Sequence, residues 1–228
     1  MSIGVAAKNI LAGEMKIAIA GGVESLSLTQ TKHKNTYRAQ SLAVQEVMPS
    51  AYIPMLETAE IVSRRYGISR EAQDAYALQS QQRTAAAQAA GLFDAEIVPL
   101  AARKQLFDKE GNPIGHEDVI ATRDECNRAS TTLEDLQKLK PVWKDGKWIA
   151  QGEFITAGNA SQFSDGASAA LVMSRAEAER RGIAPLGIYR GISVAGCAPD
   201  EMGIGPVFAI PKLLDRFGLA VGDVGLWE

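Results

Sequence analysis

Apolar positions recur at two spacings along the chain, and they predict helices that alternate with strands. Helical spacing over residues 3–11 predicts a first helix, and Gly13 supplies its C-terminal stop. The run "KIAIAGGVES" predicts a short buried strand over 16–20 that meets a turn at Gly21 and Gly22. Three further apolar runs are typical of strands, namely "AEIVPL", 186–195 and "VGLW".

Capping residues and glycines mark the ends of further helices. Ser69 and Gly91 bound the longest of them, which is rich in alanine and glutamine. The others are predicted over 58–66 before Gly67, from the Thr131–Glu134 pair, from the Ser174–Glu177 pair to Gly182, and from Pro206 to Phe217. Strands alternating with helices on both sides of a polar middle favour an α/β fold with a largely parallel core. The middle, residues 29–150, is predicted to be a separate helical and irregular lobe.

Composition and charge exclude several classes of protein. The chain has 228 residues, of which 46% are hydrophobic and 22% charged, with a formal net charge of −3. This balance gives no global field toward nucleic acid or an anionic membrane, so neither is expected as a partner. No apolar run reaches the roughly 18 residues that a membrane-spanning helix needs. His33 and His116 lie far apart and near no cysteine, which argues against a metal site.

The two cysteines indicate the cellular compartment of the protein and do not indicate a catalytic role. Cys126 and Cys197 are distant from each other, and residues 1–13 lack the features of a signal peptide, so we expect a reducing, cytoplasmic environment. A catalytic thiolate needs a positive surrounding and usually a histidine partner. Asp124 and Glu125 would raise the pKa of the Cys126 thiol, so a structural role is favoured for each cysteine over a catalytic one. The Gly203-x-Gly205 pair lacks the third glycine of a dinucleotide-binding loop and is interpreted as a turn.

A group of basic residues lies within the predicted lobe, on either side of the Thr131–Glu134 pair. Acidic residues are interspersed, so a solvated face is the first interpretation, with a phosphate-contacting rim as the alternative because arginine offers fork-shaped donors. The basic residues are Arg123, Arg128, Lys138 and Lys140.

The segment "GEFITAGNASQFSDGASAALVMS" places polar residues and glycines between two apolar runs. Gly158 and Gly166 permit close backbone approach, and Asn159, Ser161 and Asp165 can hydrogen-bond to the backbone and fix the shape of a loop. A strand that breaks into such a loop suits a ligand laid against main chain. A polar bend between two strands fits the same residues, so the spacing alone leaves both interpretations open.

Four motifs, taken in order, resemble the thiolase family. They are "AIAGGVESLS", "GISREAQDAYALQSQQRTAAAQAAGLFDAEIVPL", "TTLEDLQKLKP" and "ITAGNASQFSDGASAALVMS", and the resemblance that they carry extends over essentially the whole chain. The resemblance implies an α-β-α-β-α layered core, incomplete here, with an inserted helical loop domain. It also implies a division into four parts, namely the end of the N-terminal domain's core helix and strand, a loop domain covering coenzyme A (CoA), a return to the N-terminal domain, and the start of the C-terminal domain. These parts would span 1–28, 29–150, 151–184 and 185–228.

Thiolases join two acyl-CoA molecules or cleave a 3-ketoacyl-CoA with free CoA, through an acyl-cysteine intermediate. The resemblance implies that Arg128 lies near the CoA phosphates, Trp143 flanks the pantetheine arm, and Ser161 lies beside that arm with Ala157 nearby. Met55 matches a methionine that lines the acyl pocket. Pro54 stands where many acetoacetyl-CoA-forming members have histidine, which favours a degradative or longer-chain thiolase. No cofactor is implied, because CoA is a substrate, and the parent is expected to be a homodimer or homotetramer.

The catalytic motifs of the family are absent from this sequence. By the resemblance, a Cys-Ser-Ser-Gly-type motif would precede residue 1, and the Asn-Glu-Ala-Phe, Gly-His-Pro and Cys-x-Gly-Gly-Gly motifs would follow Glu228. Cys126 and Cys197 match neither catalytic cysteine. We therefore expect an internal piece of a thiolase without catalytic residues, inactive alone. The alternative is a non-catalytic CoA-binding or assembly fragment.

Overall fold

Helices and strands alternate along the chain, and the computed structural model describes all residues from Met1 to Glu228. In chain order the elements are α1 (Ser2–Leu11), β1 (Ile17–Glu24), α2 (Leu26–Thr29), α3 (Leu42–Val47), α4 (Met55–Arg65), α5 (Arg70–Ala89), β2 (Leu100–Phe107), β3 (Pro113–Ala121), α6 (Leu133–Lys138), β4 (Gly166–Met173), α7 (Arg175–Arg181) and α8 (Gly205–Phe217). Short 3₁₀ helices span Pro199–Ile204 and Val221–Asp223. None of these helices combines the length and the apolar character needed to cross a membrane.

The chain folds as two units. One unit comprises Met1–Tyr66 together with Gln162–Glu228, and the other comprises Gly67–Ser161. We refer to them as the split unit and the central unit.

The split unit is built on an antiparallel pair of strands. β1 pairs with β4 over their full lengths, from Ile17 opposite Met173 to Glu24 opposite Gly166. Helix α1 packs on this pair and buries Ala6 and Ala7, while Ala20 is buried within β1. The predicted turn at Gly21 and Gly22 is wrong, because both residues continue the strand.

Gly21 explains why glycine occurs inside β1. A Cβ atom at this position would collide with the backbone carbonyl oxygen of Ser168 on β4. Gly22, which faces the other side, has no atom within 4 Å of an ideal Cβ. Glycine at position 21 therefore allows the close approach of two backbones and does not mark a chain reversal.

The prediction of a largely parallel core is also wrong, because both sheets of the chain are antiparallel. The prediction rested on the alternation of helices and strands, but β1 and β4 are separated along the chain by the whole central unit. Such a long connection allows the second strand to return in either direction. The strands predicted over 186–195 and at "VGLW" do not form. A strand needs a partner for its backbone hydrogen bonds, and no strand of this chain pairs with either segment.

A second cluster in the split unit joins helix α4 to the 3₁₀ helix Pro199–Ile204. The guanidinium group of Arg65 donates to Asp200 at 2.5 Å and to Glu201 at 2.6 Å, and the Tyr66 hydroxyl donates to Glu201 at 2.8 Å. The arginine keeps the pKa of the Glu201 carboxyl below its usual value, with the tyrosine hydrogen bond adding to the effect. The cluster ties two segments that are distant in the sequence.

The central unit is organised around the long helix α5. Ser69 caps it by accepting a hydrogen bond from the Ala72 N–H at 3.2 Å, as predicted. Helix α6 packs against α5, and its cap is Thr132, one residue later than predicted, which accepts from the Asp135 N–H at 3.2 Å. The strand predicted at "AEIVPL" begins only at Leu100.

Two antiparallel hairpins complete the central unit. β2 and β3 form the first, which the sequence analysis did not predict. The second is irregular and runs from Pro141, which bridges to Thr156, through Lys144, which bridges to Gln151. Its end leads directly into the polar segment that the resemblance associates with CoA.

Candidate functional site

The segment Thr156–Ser161 forms one tight turn around a fully buried threonine. The Thr156 carbonyl oxygen accepts from the N–H groups of Asn159 at 3.3 Å and Ala160 at 3.1 Å. The Thr156 hydroxyl oxygen accepts from the Gly158 N–H at 3.2 Å. These bonds satisfy the backbone locally, so the turn has a defined shape without belonging to a helix or strand. We call Thr156–Ser161 the 156–161 loop.

The Asn159 side chain locks this loop to two other parts of the central unit. Its Oδ1 accepts from the Thr156 N–H at 2.8 Å, and its Nδ2 donates to the Phe154 carbonyl at 2.9 Å. The same Nδ2 donates to Oδ1 of Asp74 at 3.1 Å. One amide thus uses both of its ends, which leaves the loop little freedom to move relative to helix α5.

Asp74 is a fully buried carboxylate, and its burial is compensated by its partners. Its Oδ2 accepts from Nε of Arg70 at 2.7 Å, and the Arg70 side chain is only 17% exposed. The Nη2 atom of Arg70 also donates to the carbonyls of Leu136 at 2.7 Å and Leu139 at 3.1 Å, at the C-terminal end of α6. A buried charge is tolerated when it is paired and hydrogen-bonded, and this one is both.

Close packing accounts for Gly158 in the loop. A Cβ atom there would lie 2.5 Å from Cδ2 of Leu136 and 2.7 Å from Cδ1 of Leu139. A larger residue would require these leucine side chains or the loop to shift. The side chains that the loop leaves exposed are those of Ala157 and Ser161, the two residues that the resemblance places beside pantetheine.

Arg128 is exposed, but its backbone is held firmly. Its N–H donates to Oε1 of Gln81 on helix α5 at 2.8 Å. Its carbonyl accepts from the Thr131 N–H at 3.0 Å and from the Thr131 hydroxyl at 2.8 Å. The side chain therefore projects from a fixed point of the chain, as a phosphate-binding arginine would require.

The other members of the basic group are less organised. Arg123 and Lys140 are exposed, and Lys138 forms an exposed ion pair with Asp135 at 3.8 Å, one helical turn away. Exposed pairs of this kind contribute little to stability. The solvated-face interpretation fits Lys138.

Trp143 is half-buried within the irregular hairpin. Its Nε1 donates to the Ile149 carbonyl at 3.0 Å, which fixes the ring across the hairpin. Met55 begins helix α4 of the split unit, and its side chain is 66% exposed. Of the five predicted site residues, Arg128, Trp143, Ala157 and Ser161 thus belong to the central unit, and their roles stay predictions.

Both cysteines are free thiols, and the acidic neighbourhood of Cys126 has the predicted effect. A hydrogen bond with the Asp124 side chain raises the pKa of the exposed Cys126 thiol, and the negative charges of Asp124 and Glu125 add to it. Cys197 is half-buried, with its Sγ 3.7 Å from the Glu201 carbonyl. A raised pKa disfavours the thiolate that a nucleophile needs.

Asp165 fastens the start of β4 to the segment after β1 in the split unit. Its carboxylate accepts from the hydroxyl and the N–H of Ser27, the latter at 3.0 Å, and from the Ser25 hydroxyl at 3.3 Å. These bonds, led by the Ser27 hydroxyl, lower the pKa of Asp165. The sequence indicated a loop-fixing role for this residue, but its partners could not be named, because they lie about 140 positions away.

Three residues of helix α5 that fix the backbone of Arg128 and the 156–161 loop were not predicted from the sequence, namely Arg70, Asp74 and Gln81. They lie in a helix whose sequence was notable only for its alanine and glutamine content. One signal was available, since Arg70 and Asp74 are four positions apart and thus suited to pair on a helix.

Comparison with known proteins agrees with this architecture. The family model "Thiolase, N-terminal domain" matches residues 1–176, and "Thiolase, C-terminal domain" matches residues 183–228. The peroxisomal 3-ketoacyl-CoA thiolase B of Rattus norvegicus is 43% identical over 216 residues, which are 95% of this chain and 48% of that protein. The chain spans about half the length of the curated relatives it matches.

Solved structures give the same result. The dimeric peroxisomal thiolase of Saccharomyces cerevisiae superposes with a TM-score of 0.81 at 33% identity, covering 99% of this chain and 53% of that one. Human mitochondrial 3-ketoacyl-CoA thiolase in complex with CoA superposes with a TM-score of 0.73 at 35% identity, covering 99% and 54%. Family models that together match nearly every residue, and structures that share the fold, establish that the chain belongs to the thiolase family.

Proposed function

We propose that this chain carries the CoA-binding surface of a thiolase, and that the whole protein cleaves 3-ketoacyl-CoA with free CoA. The observation that carries the proposal is the 156–161 loop, which a buried network holds in one shape while Ala157 and Ser161 stay exposed. A preorganised main-chain loop of this kind positions a ligand at low entropic cost.

The assignment of each residue follows the family resemblance. Arg128 would contact the phosphates, since a guanidinium group offers forked donors to phosphate oxygens. Trp143 would flank the pantetheine arm, and Ser161 and Ala157 would lie beside it. Met55 would line the acyl pocket in the whole protein. Support comes from the relative that is named as binding CoA, the human mitochondrial 3-ketoacyl-CoA thiolase complex.

The direction of the reaction is proposed to be degradative. Pro54 precedes Met55 in place of the histidine that the resemblance associates with acetoacetyl-CoA formation. The name of the rat relative, a 3-ketoacyl-CoA thiolase, supports the same direction. CoA acts as a substrate in this proposal, and no other cofactor is required.

Assembly and location complete the proposal. A homo-oligomer, dimer or tetramer, is supported by the dimeric yeast structure that shares the fold. A cytoplasmic location is supported by two free cysteines, as expected of a reducing compartment, although named relatives include peroxisomal proteins. Cell fractionation with an antibody to the chain tests the location.

A second candidate function is a non-catalytic CoA-binding or assembly fragment. It is favoured by the two cysteines, since Cys126 has a raised pKa and neither matches a catalytic motif. Thiolysis of acetoacetyl-CoA by the purified chain tests this second candidate. The fragment proposal expects no turnover above background, and robust turnover would eliminate it.

Titration calorimetry with CoA tests the binding proposal. We expect Arg128→Ala to weaken CoA binding by roughly tenfold, since a charge-assisted hydrogen bond contributes about 1.5–3 kcal/mol. Added salt should weaken binding of the unmodified chain more than binding of the variant. Arg103→Ala is the control, because Arg103 is an exposed arginine of the same unit, on the β2–β3 hairpin, and lies outside the basic group. Equal affinities for the two variants would refute the role of Arg128.

A further inference from the structure

One face of helix α5 carries polar side chains at seven-residue intervals. Asp74, Gln81 and Gln88 occupy this face, and all three are buried or half-buried. Seven residues are close to two full turns of an α-helix, so the three side chains line up with a drift of only about 20° per interval. Each of them is hydrogen-bonded to a later segment of the central unit.

Gln81 holds the segment Asn127–Arg128, which we call the 127–128 segment. Its Oε1 accepts from the Arg128 N–H at 2.8 Å and from Nδ2 of Asn127 at 2.8 Å. The same Nδ2 of Asn127 donates to the Gln81 carbonyl at 2.9 Å. The next residue of the face, Gln88, makes only a long contact of 3.5 Å with the Asp124 carbonyl. Gln81 is therefore the main anchor of this segment.

Asp74 holds the second segment two turns earlier on the same face. It accepts from Asn159, whose amide also fixes the Thr156 backbone. The 156–161 loop and the 127–128 segment do not pair with each other as strands. Both are instead hydrogen-bonded to helix α5. Gln81 fixes the backbone from which Arg128 projects, and Asp74 fixes the loop that presents Ser161.

We infer that helix α5 is the positioning element for CoA, with Gln81 setting the place of Arg128 and Asp74 that of the 156–161 loop. This inference rests on the proposed function, because it concerns how the proposed CoA contacts are held. Neither residue is assigned a contact with CoA itself. Gln81 acts through the backbone of Arg128, and Asp74 acts through the loop that carries Ser161.

Gln81 offers the sharper test, because its side chain is half-buried and its neighbour provides a control. Gln81→Ala removes the acceptor of the Arg128 N–H. Gln82→Ala changes an exposed glutamine at the adjacent position and should leave the chain as it is. Gln81→Glu replaces the amide oxygen with a carboxylate oxygen, which can accept the same hydrogen bond.

Two measurements on the full chain are needed. Amide exchange by NMR reports the Arg128 N–H directly, and we expect lost protection in Gln81→Ala but retained protection in Gln81→Glu and Gln82→Ala. Titration with CoA should show affinity weakened by about three- to tenfold in Gln81→Ala and unchanged in Gln82→Ala. In an Arg128→Ala background, Gln81→Ala should cause no further loss, since it acts through Arg128.

The outcomes separate this inference from the proposal on which it rests. If the unmodified chain does not bind CoA, both are overturned. If it binds CoA and Arg128→Ala weakens binding, but Gln81→Ala binds as well as Gln82→Ala, only the positioning role is overturned. The same holds if Gln81→Ala weakens binding equally in the Arg128→Ala background, or if the Arg128 amide keeps its protection in Gln81→Ala.

Discussion

The side-chain amide of Asn159 donates to the fully buried carboxylate of Asp74 across 3.1 Å, although 85 positions separate the two residues. This bond connects the 156–161 loop to helix α5. The other carboxylate oxygen of Asp74 is paired with Arg70. Loss of the carboxylate would leave a nearly buried guanidinium group with two carbonyl partners but no counter-charge. The stability of the central unit should therefore depend strongly on Asp74.

Asp74→Ala is expected to lower the free energy of unfolding by about 3–5 kcal/mol, the usual cost of breaking a buried ion pair by removing one partner. Asp118→Ala serves as the control, because Asp118 pairs with Arg103 on the β2–β3 hairpin with 80% and 70% of the side chains exposed. That change should cost under about 1 kcal/mol. Urea denaturation of both variants measures the difference, and equal losses would contradict the assigned role of Asp74.

Gly21→Ala is expected to disrupt the pairing of β1 with β4, since its Cβ would meet the Ser168 carbonyl. Backbone atoms cannot rotate away as a side chain can, so we expect a loss of about 1–3 kcal/mol. Gly22→Ala meets no atom within 4 Å and should be close to neutral. Thermal unfolding monitored by circular dichroism compares the two. A larger loss for Gly22→Ala would indicate that these glycines do form a turn.

Asp124→Asn is expected to speed the alkylation of Cys126 several-fold at pH 8. The Asp124 side chain raises the pKa of this thiol, and asparagine removes the charge while its oxygen can still accept the Cys126 N–H bond of 2.8 Å. A lower pKa gives more thiolate, which is the reacting species. Iodoacetamide labelling followed by peptide mass spectrometry measures the rate at each cysteine separately. An unchanged Cys126 rate would refute this cause of its raised pKa.

Ser27→Ala is expected to make the split unit less stable above pH 4 and to flatten its loss of stability in acid. The pKa of Asp165 is lowered from 3.8 mainly by the Ser27 hydroxyl. A carboxyl whose pKa is lowered on folding contributes its stability above the unfolded pKa, and that contribution is lost as pH falls through the folded pKa. Melting temperatures between pH 5 and pH 2 test this. If the melting temperatures of the two proteins change in parallel with pH, the Ser27 hydroxyl does not lower the pKa of Asp165.

Local signals in the sequence predicted the helices well and the sheets poorly. Ser69, Ser174 and Gly182 act as predicted, because a cap depends on residues within one turn of itself. Strand pairing depends on partners far along the chain. The orientation of β1 against β4, and the failure of 186–195 to form a strand, were therefore not readable from either segment alone.

In the candidate site, too, some residues could be predicted from the sequence and others could not. The resemblance assigned Arg128, Trp143, Ala157 and Ser161, and the order of motifs was sufficient for the family. The residues that hold these positions, Asp74 and Gln81, could not be found in the same way. Their partners lie 85 and 47 positions away, and a glutamine on an alanine-rich helix has no pattern of its own.

Helix α5 also sets the distance between the two segments that it binds. Asp74 and Gln81 are separated by about 10 Å along the axis, at roughly 1.5 Å per residue. Deleting one residue between them would shorten this interval only slightly, but it would turn Gln81 by about 100° away from the Arg128 backbone. The number of residues between these two side chains is therefore constrained more tightly than the identity of the residues that fill it. Any rearrangement of the chain that preserves the relative positions of the 127–128 segment and the 156–161 loop must preserve that count.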